Sequence, residues 1–200
     1  MISVYQIKPY FQALLKPLMV GLHKIGLTPN LLTLLGILLS FGLGAGMYLY
    51  HHASGMYLIL PIGLFIRMML NALDGMMART YHLESKLGAV LNELGDIVSD
   101  VAIFFPLYLF FNIELEAVLL FIFLSILNET TGILGLALIQ ERRYDGPMGK
   151  SDRALLIGTL SLLLFFGLPI HNYLYEILMV ASLLLVISTI KRCLPIIKKI

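Results

Sequence analysis

The sequence predicts an all-α integral membrane protein: a bundle of six transmembrane helices with an N-terminal juxtamembrane helix. Of its 200 residues, 59% are hydrophobic and 13% are charged. Soluble domains are usually about half apolar and about a quarter charged. The apolar residues also gather in segments close to the roughly 20 residues that a helix needs to cross a bilayer. A helical bundle is expected because backbone polar groups inside a bilayer must be satisfied internally.

Six segments have the length and apolarity of spanning helices. They run near residues 31–50, 56–78, 87–111, 115–139, 153–169 and 174–190. No soluble domain, long linker or signal peptide is expected. We therefore predict one domain over residues 1–200, divided into a juxtamembrane segment (1–26), a six-helix core (27–190) and a basic cytoplasmic tail (191–200).

The segment before the first span mixes apolar side chains with lysines over residues 5–24. This mixture suits an amphipathic helix that lies on the membrane surface. Pro9 and Pro17 disfavour a helix interior, so a plain linker is an equal alternative. Thr28 and Pro29 suit the N-cap and the first position of the first spanning helix.

Basic residues concentrate on one side of the predicted bundle. They precede the first span, lie around the loops after the second and fourth spans, and follow the sixth. The three opposite loops contain neither Lys nor Arg, and Arg67 inside the second span is the exception. The positive-inside rule then places both termini in the cytoplasm. For a bacterial protein the membrane would be the inner one.

Polar side chains interrupt the second and third spans at helical spacing. The second span carries Arg67, Asn71, Asp74 and Ala78. The third span carries Gly88, Asn92, Asp96 and Asp100 at intervals of four residues. Such spacing places each set on one helix face. Since the turn between these spans is short, we expect the helices to be antiparallel neighbours and their polar faces to meet.

Burying this charge in a membrane would be costly without compensation. Arg67, Asp74, Asp96 and Asp100 would together cost on the order of 10 kcal/mol if isolated, at about 2.5–3.5 kcal/mol each. A hydrated cavity, an ion pair with Arg67 or Arg79, or a bound metal must offset that cost. Clustered carboxylate oxygens favour hard cations such as Mg²⁺ or Mn²⁺.

The order and spacing of these residues resemble the signature of the CDP-alcohol phosphotransferase family. In single letters that signature is D-x2-D-G-x2-A-R-x8-G-x3-D-x3-D. The matching residues are Asp74, Gly75, Ala78, Arg79, Gly88 and Asp96. The resemblance covers the second and third spans closely, and a six-span membrane enzyme with cytosolic termini also fits the family.

The resemblance implies a transferase of phospholipid synthesis. Such an enzyme moves a phosphatidyl group from a CDP-alcohol, here most simply CDP-diacylglycerol, to a polar alcohol and releases CMP. One or two Mg²⁺ or Mn²⁺ ions would hold the pyrophosphate, and Asp96 would accept the proton of the attacking hydroxyl. The predicted metal ligands are Asn71, Asp74, Asn92, Asp96 and Asp100. The predicted nucleotide-binding residues are Asn30, Asp74, Gly75, Ala78, Arg79 and Gly88.

Two of the four acidic positions of the signature are neutral, because Asn71 and Asn92 stand where the family has aspartates. Three interpretations stay open. The site can use one metal, or two held weakly with help from substrate phosphates. Glu93 and Asp100 can supply the missing ligands. Alternatively, the chain keeps the fold and a CDP-lipid site but catalyses poorly or not at all, as a lipid-binding or scaffolding protein.

A second polar region lies around the loop between the fourth and fifth spans, which carries Arg142, Arg143, Lys150 and Arg153. These residues can anchor the loop to anionic headgroups. They can also bind the phosphate or hydroxyl groups of an acceptor, since the family places its acceptor near this region. We therefore predict acceptor binding by Arg143, Lys150 and Arg153. A phosphorylated acceptor is indicated if both Lys150 and Arg153 face the cavity.

The remaining expectations concern Glu129 and the competing functions. Glu129, inside the fourth span, is expected either to pair with Arg67 or to orient polar residues beside the cavity. A cation or proton transporter would need polar residues across the whole membrane, but the outer halves of spans two and three are apolar. The family's habit implies a homodimer surrounded by membrane lipids, and no nucleic-acid partner is expected.

Overall fold

The computed structural model describes residues 8–199, and every regular element in that range is helical. The helices are α1 (Lys8–Lys24), α2 (Pro29–Leu49), α3 (Met56–Thr80), α4 (Lys86–Phe104), α5 (Leu107–Phe110), α6 (Leu115–Ile139), α7 (Lys150–Phe165) and α8 (Leu174–Lys199). A short 3₁₀ helix, His171–Tyr173, leads into α8. The juxtamembrane segment is therefore helical from residue 8, whereas residues 5–7 of the predicted helix lie outside the described range.

Within residues 8–199, four helical segments are long and apolar enough to cross a membrane. They are Pro29–Leu49, Met56–Thr80, Leu115–Ile139 and His171–Lys199. The predicted third span is interrupted, because α4 ends at Phe104 and a turn at Pro106 separates it from α5. The predicted fifth span corresponds to α7, which has only 16 residues. The chain is an integral membrane protein whose regular elements within residues 8–199 are helical, and α4 (19 residues) and α7 (16 residues) are shorter than those four segments.

Local capping sets the ends of the helices that surround the polar residues. The Thr28 Oγ1 accepts a hydrogen bond from the Leu31 N–H at 3.3 Å, and Pro29 is the first residue of α2, as the sequence predicts. The Ser85 Oγ accepts from the Gly88 N–H at 3.0 Å and starts α4. Both contacts satisfy N–H groups that an isolated helix end would leave unpaired.

Two apolar clusters hold the helices together. The larger cluster joins residues from α2 through α8 and includes Leu60, Phe104, Phe121, Ile157 and Leu185, each at most 1% exposed. The smaller cluster packs α1 against α2 and α3 through Leu15, Met19, Leu32, Leu73 and Met77. Helix α2 contacts both α3 and α4, α3 contacts α7, and α6 contacts α8. This arrangement brings the C-terminal end of α3 next to the N-terminal ends of α2, α4 and α7.

Helices α2 and α4 approach most closely at Gly44. A side chain there would overlap the backbone carbonyl oxygen of Ala102. Pro106 has no N–H and therefore cannot donate the usual helical hydrogen bond to that carbonyl. The missing side chain at Gly44 lets the two backbones pack directly.

Gly44→Ala should lower the unfolding temperature of the purified protein in detergent micelles. Overpacking usually costs about 1–3 kcal/mol, and here the obstacle is backbone rather than a flexible side chain. Gly42→Ala is the matched control, because a Cβ at Gly42 meets nothing within 4 Å. Circular dichroism at increasing temperature measures both variants. Equal unfolding midpoints for Gly44→Ala and Gly42→Ala would contradict the close contact between α2 and α4.

Candidate functional site

A cavity of about 210 Å³ opens between the N-terminal ends of α2 and α4 and the C-terminal end of α3. All six residues predicted to bind nucleotide line it: Asn30, Asp74, Gly75, Ala78, Arg79 and Gly88. Asn92 lines the same cavity. The polar faces of the second and third predicted spans therefore meet, as their spacing predicts.

Two glycines keep the wall of this cavity open. A Cβ at Gly88 would lie 2.7 Å from the Asn30 Oδ1 and 3.0 Å from the Ser85 Oγ. A Cβ at Gly75 would lie 3.3 Å from a guanidinium nitrogen of Arg79. The exposed Arg79 has no carboxylate partner among residues 8–199. Its guanidinium is therefore available to an anionic ligand.

The carboxylate of Asp74 is buried in the cavity wall with 4% exposure. Its Oδ2 accepts a hydrogen bond from the Thr33 Oγ1 at 2.8 Å, and its Oδ1 accepts from the Gly75 N–H at 2.5 Å. These contacts fix the carboxylate with one donor on each oxygen. Each oxygen keeps a further lone pair for another ligand.

Asp96 lies one helical turn after Asn92 on α4, where it contacts side chains of α3 and α7. The ammonium group of Lys150 forms an ion pair with its Oδ2. The Asn71 Nδ2 donates a hydrogen bond to its Oδ1 at 3.1 Å. Lys150 is also within electrostatic range of Asp74 and Glu93. Of the three predicted acceptor-binding residues, Lys150 is the one that contacts a signature carboxylate.

Asp100 belongs to a buried ion network rather than to the cavity. Its Oδ1 lies 2.8 Å from the Arg67 Nη2, and its Oδ2 accepts a hydrogen bond from the Arg153 Nη2 at 2.7 Å. Arg153 is completely buried and also donates to the Glu129 Oε1 at 3.1 Å. The expectation that Arg67 pairs with Glu129 is wrong, since Arg67 neutralises Asp100. The structure also separates the predicted ligand Asp100 and the predicted acceptor residue Arg153 from the cavity lining.

The network continues through Glu129 to α8 and to the loop after α6. Arg142 lies 3.1 Å from Glu129 and 2.9 Å from Glu93. The Arg192 Nη1 donates to the Asn128 carbonyl oxygen at 2.7 Å and lies 3.8 Å from Glu129. Glu93, a possible substitute ligand by sequence, is therefore already paired. Sequence reasoning missed Arg192 because it follows the last predicted span, where basic residues are usual.

Residues 140–149 form a loop that is fastened to α8. The carbonyl oxygen of Asp145 accepts hydrogen bonds from the Ser188 Oγ at 3.0 Å and the Arg192 Nε at 3.3 Å. Arg143 pairs with Glu141 at 3.1 Å and with Asp145 at 2.8 Å. A hydrogen bond from Lys199, together with its charge, holds the pKa of the exposed Glu141 below the ordinary value. The guanidinium of Arg143 is therefore engaged on both sides.

The oxygen atoms that line the cavity suit a divalent cation that arrives with a phosphate ligand. Residues 8–199 contain no group of three His, Cys, Asp or Glu suited to holding a metal by themselves. Asp74 and Asn92 nevertheless offer a carboxylate and an amide oxygen in one cavity. Mg²⁺ is commonly held by one or two carboxylates, with waters and substrate phosphates completing its shell. The residues present fit a cation bound in that way.

The fold is similar to that of solved phosphatidylinositol phosphate synthase structures from Mycobacterium tuberculosis. The structure with CDP-DAG bound aligns with a TM-score of 0.72 at 21% identity, over 90% of this chain and 92% of that one. The structure in complex with manganese and citrate aligns with a TM-score of 0.71 at 22% identity, over 90% and 87%. These alignments show a shared fold.

Sequence relationships extend along nearly the whole chain. Inner membrane protein YnbA of Escherichia coli (strain K12) is 42% identical over 194 residues, which cover 96% of this chain and 94% of YnbA. Archaetidylinositol phosphate synthase of Pyrococcus horikoshii is 34% identical over 104 residues, about half of each protein (52% and 53%). The sequence profile of the CDP-alcohol phosphatidyltransferases matches residues 26–188. The chain therefore belongs to the CDP-alcohol phosphatidyltransferase family.

Proposed function

We propose that this transferase moves a phosphatidyl group from CDP-diacylglycerol to a polar alcohol and releases CMP. The observation that carries the proposal is that all six predicted nucleotide-binding residues line one cavity, with Asp74 buried in its wall. The Mycobacterium tuberculosis enzyme of the same fold was crystallised with CDP-DAG bound, which supports this choice of donor.

In this proposal the pyrophosphate of the donor lies beside Asp74, Asn92 and Arg79. Asp74 and Asn92 would hold Mg²⁺ or Mn²⁺, which when bound neutralises the phosphates and stabilises the departing CMP. The Arg79 guanidinium would contact the same phosphates, since Arg suits planar, two-point phosphate contacts. Gly75 and Gly88 would leave space for the nucleotide.

Asp96 would act as the general base. The acceptor hydroxyl oxygen attacks the lipid-proximal phosphorus, a new P–O bond forms, and the bond to the bridging oxygen of CMP breaks. The hydroxyl proton passes to Asp96, and CMP leaves with the electron pair. The Lys150 ammonium pairs with the Asp96 Oδ2 and the Asn71 Nδ2 donates to its Oδ1, and these two contacts would orient the carboxylate that accepts the proton.

The proposed membrane arrangement has six spans and places both termini in the cytoplasm. Helices α4 and α7 would complete it, sheltered by the four longer apolar helices. The Lys and Arg distribution supports the orientation, and the relationship to an inner membrane protein supports the inner membrane as location. We also propose a homodimer, as the family resemblance implies.

The acceptor is proposed to be an alcohol without a phosphate group. Arg153 is buried against Asp100 and Glu129, and Arg143 is paired with Glu141 and Asp145. The condition for a phosphorylated acceptor, with both Lys150 and Arg153 facing the cavity, is therefore not met. An acceptor phosphate would have to break an existing ion pair before Arg143, Lys150 or Arg153 could bind it.

Unphosphorylated acceptors should therefore support faster CMP release than their phosphates. Glycerol compared with glycerol phosphate, and inositol compared with inositol phosphate, are the informative pairs. We expect KM for the neutral member to be lower by about tenfold, the equivalent of about 1.4 kcal/mol. A consistent preference for the phosphorylated member would contradict this acceptor assignment.

The proposed function is tested by measuring CMP release from CDP-diacylglycerol by the purified protein. The assay spans Mg²⁺ and Mn²⁺ and a panel of alcohols. Metal-dependent release that Asp96→Asn abolishes would support the assignment. Glu116→Gln, an exposed acid at the far end of α6, is the matched control and should retain activity. Saturable binding of CDP-diacylglycerol without CMP release for any acceptor would overturn the proposed catalytic activity.

A further inference from the structure

We propose that Lys150 and Asn71 replace one of the two metal ions expected at the signature carboxylates, so that the site binds a single divalent cation per chain. The inference rests on the proposed function, because it concerns the cations of the same site. In this inference Lys150 compensates the charge of Asp96 and does not serve acceptor binding alone.

The first argument is the occupation of Asp96. Its Oδ2 is paired with the Lys150 ammonium, and its Oδ1 receives the Asn71 N–H at 3.1 Å. The side chains of Lys150 and Asp96 are only 25% and 18% exposed, so water screens the ion pair weakly. One carboxylate oxygen thus already faces a positive charge and the other a hydrogen-bond donor, which occupies the positions that a metal would otherwise take.

The second argument is the orientation of the Asn71 amide. Its nitrogen faces Asp96, whereas its Oδ1 faces α2, where a Cβ at Gly36 would lie 3.2 Å away. Asn71 therefore serves Asp96 as a hydrogen-bond donor and does not present its carbonyl oxygen beside that carboxylate. An ionised aspartate has no N–H and could not make this contact.

The third argument is the charge of the site. Four aspartates would carry four negative charges, which two divalent cations balance. Here two carboxylates and one ammonium leave a single net negative charge among Asp74, Asp96 and Lys150, because Asn71 and Asn92 are neutral. One divalent cation together with the pyrophosphate satisfies that site. A second cation beside Asp96 would be repelled by the Lys150 ammonium.

The neighbouring acids do not restore a second metal position. Glu93 is paired with Arg142 at 2.9 Å. Asp100 is enclosed by Arg67 and Arg153, with one guanidinium at each of its oxygens. Recruiting Asp100 would take from the buried Arg67 guanidinium its carboxylate partner, at a cost larger than most single contacts return. Recruiting Glu93 would break its ion pair with the half-buried Arg142.

The test counts Mn²⁺ ions bound to the purified protein with CDP-diacylglycerol in mixed micelles, using the electron paramagnetic resonance signal of free Mn²⁺. We expect one ion per chain. The combined variant Lys150→Met, Asn71→Asp, Asn92→Asp should bind two ions that give a spin-coupled signal. Lys150→Met alone should bind its one ion about tenfold more tightly, because a nearby positive charge is removed.

Two controls isolate the role of the Lys150 charge. Lys150→Arg keeps the positive charge and should keep one ion at unchanged affinity. Lys86→Met removes an exposed lysine at the start of α4 and should also change neither the count nor the affinity. Gel filtration and circular dichroism report whether each variant is folded. The number of Mn²⁺ ions bound to the wild-type protein is decisive even if the combined variant does not fold.

Two ions per wild-type chain, no bound ion, or one ion in a folded combined variant would each overturn the inference. The count does not depend on turnover and therefore separates two failures. One ion without CMP release would refute the proposed function and leave the cation count standing. Two ions with CMP release would support the function and refute the replacement of a metal by Lys150 and Asn71.

Discussion

Arg153→Met should destabilise the protein more than any other single change in its polar interior. The guanidinium of Arg153 is completely buried and bridges Asp100 and Glu129. Removing one partner of a buried ion pair typically costs about 3–5 kcal/mol. Here, within residues 8–199, it leaves Asp100 with Arg67 as its one cationic partner and the Glu129 Oε1 without its hydrogen-bond donor. Thermal unfolding in detergent, followed by circular dichroism, measures the loss.

Arg143→Met is the matched control for this prediction. Its pairs with Glu141 and Asp145 are partly exposed, so water screens them, and exposed pairs contribute about 0–1 kcal/mol. The double variant Arg153→Met, Glu129→Gln should lose less stability than the sum of the two single losses, because it removes charges of both signs. Two results would contradict the proposed importance of the buried ion network. One is a loss of stability in the double variant equal to the sum of the single losses, and the other is an equal unfolding midpoint for Arg153→Met and Arg143→Met.

Asp74→Asn should reduce CMP release by at least about a thousandfold, which is about 4 kcal/mol of transition-state stabilisation. Asp74 is the one carboxylate among the cavity residues proposed to hold the cation, and a metal supplies several kcal/mol to phosphoryl chemistry. The same variant should bind Mn²⁺ too weakly to detect. Its fold should persist, because the asparagine oxygen can still accept from the Gly75 N–H while its NH2 donates to the Thr33 hydroxyl, which can also accept.

The control for Asp74→Asn is Glu176→Gln, an exposed acid in the first turn of α8. It removes the same charge far from the cavity and should keep both activity and Mn²⁺ binding. Comparing kcat with KM locates the effect of Asp74→Asn. A raised KM with unchanged kcat would show that Asp74 contributes to donor binding alone and would contradict its role in the transition state.

Local sequence patterns predicted the cavity well. Its lining includes Asp74 and Gly75 on α3, and Gly88 and Asn92 on α4. A short turn joins these two helices, so helical periodicity is enough to predict that the four residues come together. The Thr28 cap was predictable for the same reason, since a cap depends on neighbours within four residues. Features of this kind require no knowledge of distant packing.

The buried network could not be predicted in the same way. Steps of four residues rotate by about 40° each, so Asp100 lies about 120° around α4 from Gly88 and faces a different neighbour. Arg153 and Asp100 are 53 residues apart in sequence, and Arg192 and Asn128 are 64 apart. Only the packing of α4, α6, α7 and α8 decides which carboxylate each guanidinium reaches.

The fastening of the loop to α8 has a consequence for biogenesis. Arg192 and Ser188 hold the Asp145 carbonyl, and that loop leads directly to Lys150 at the start of α7. Among the helices of residues 8–199, α8 is synthesised last. Until it inserts, Glu129 lacks its contact with Arg192, and the loop lacks its hydrogen bonds from Ser188 and Arg192. The residues that line the cavity are therefore synthesised well before the α8 side chains that fasten the loop leading to Lys150.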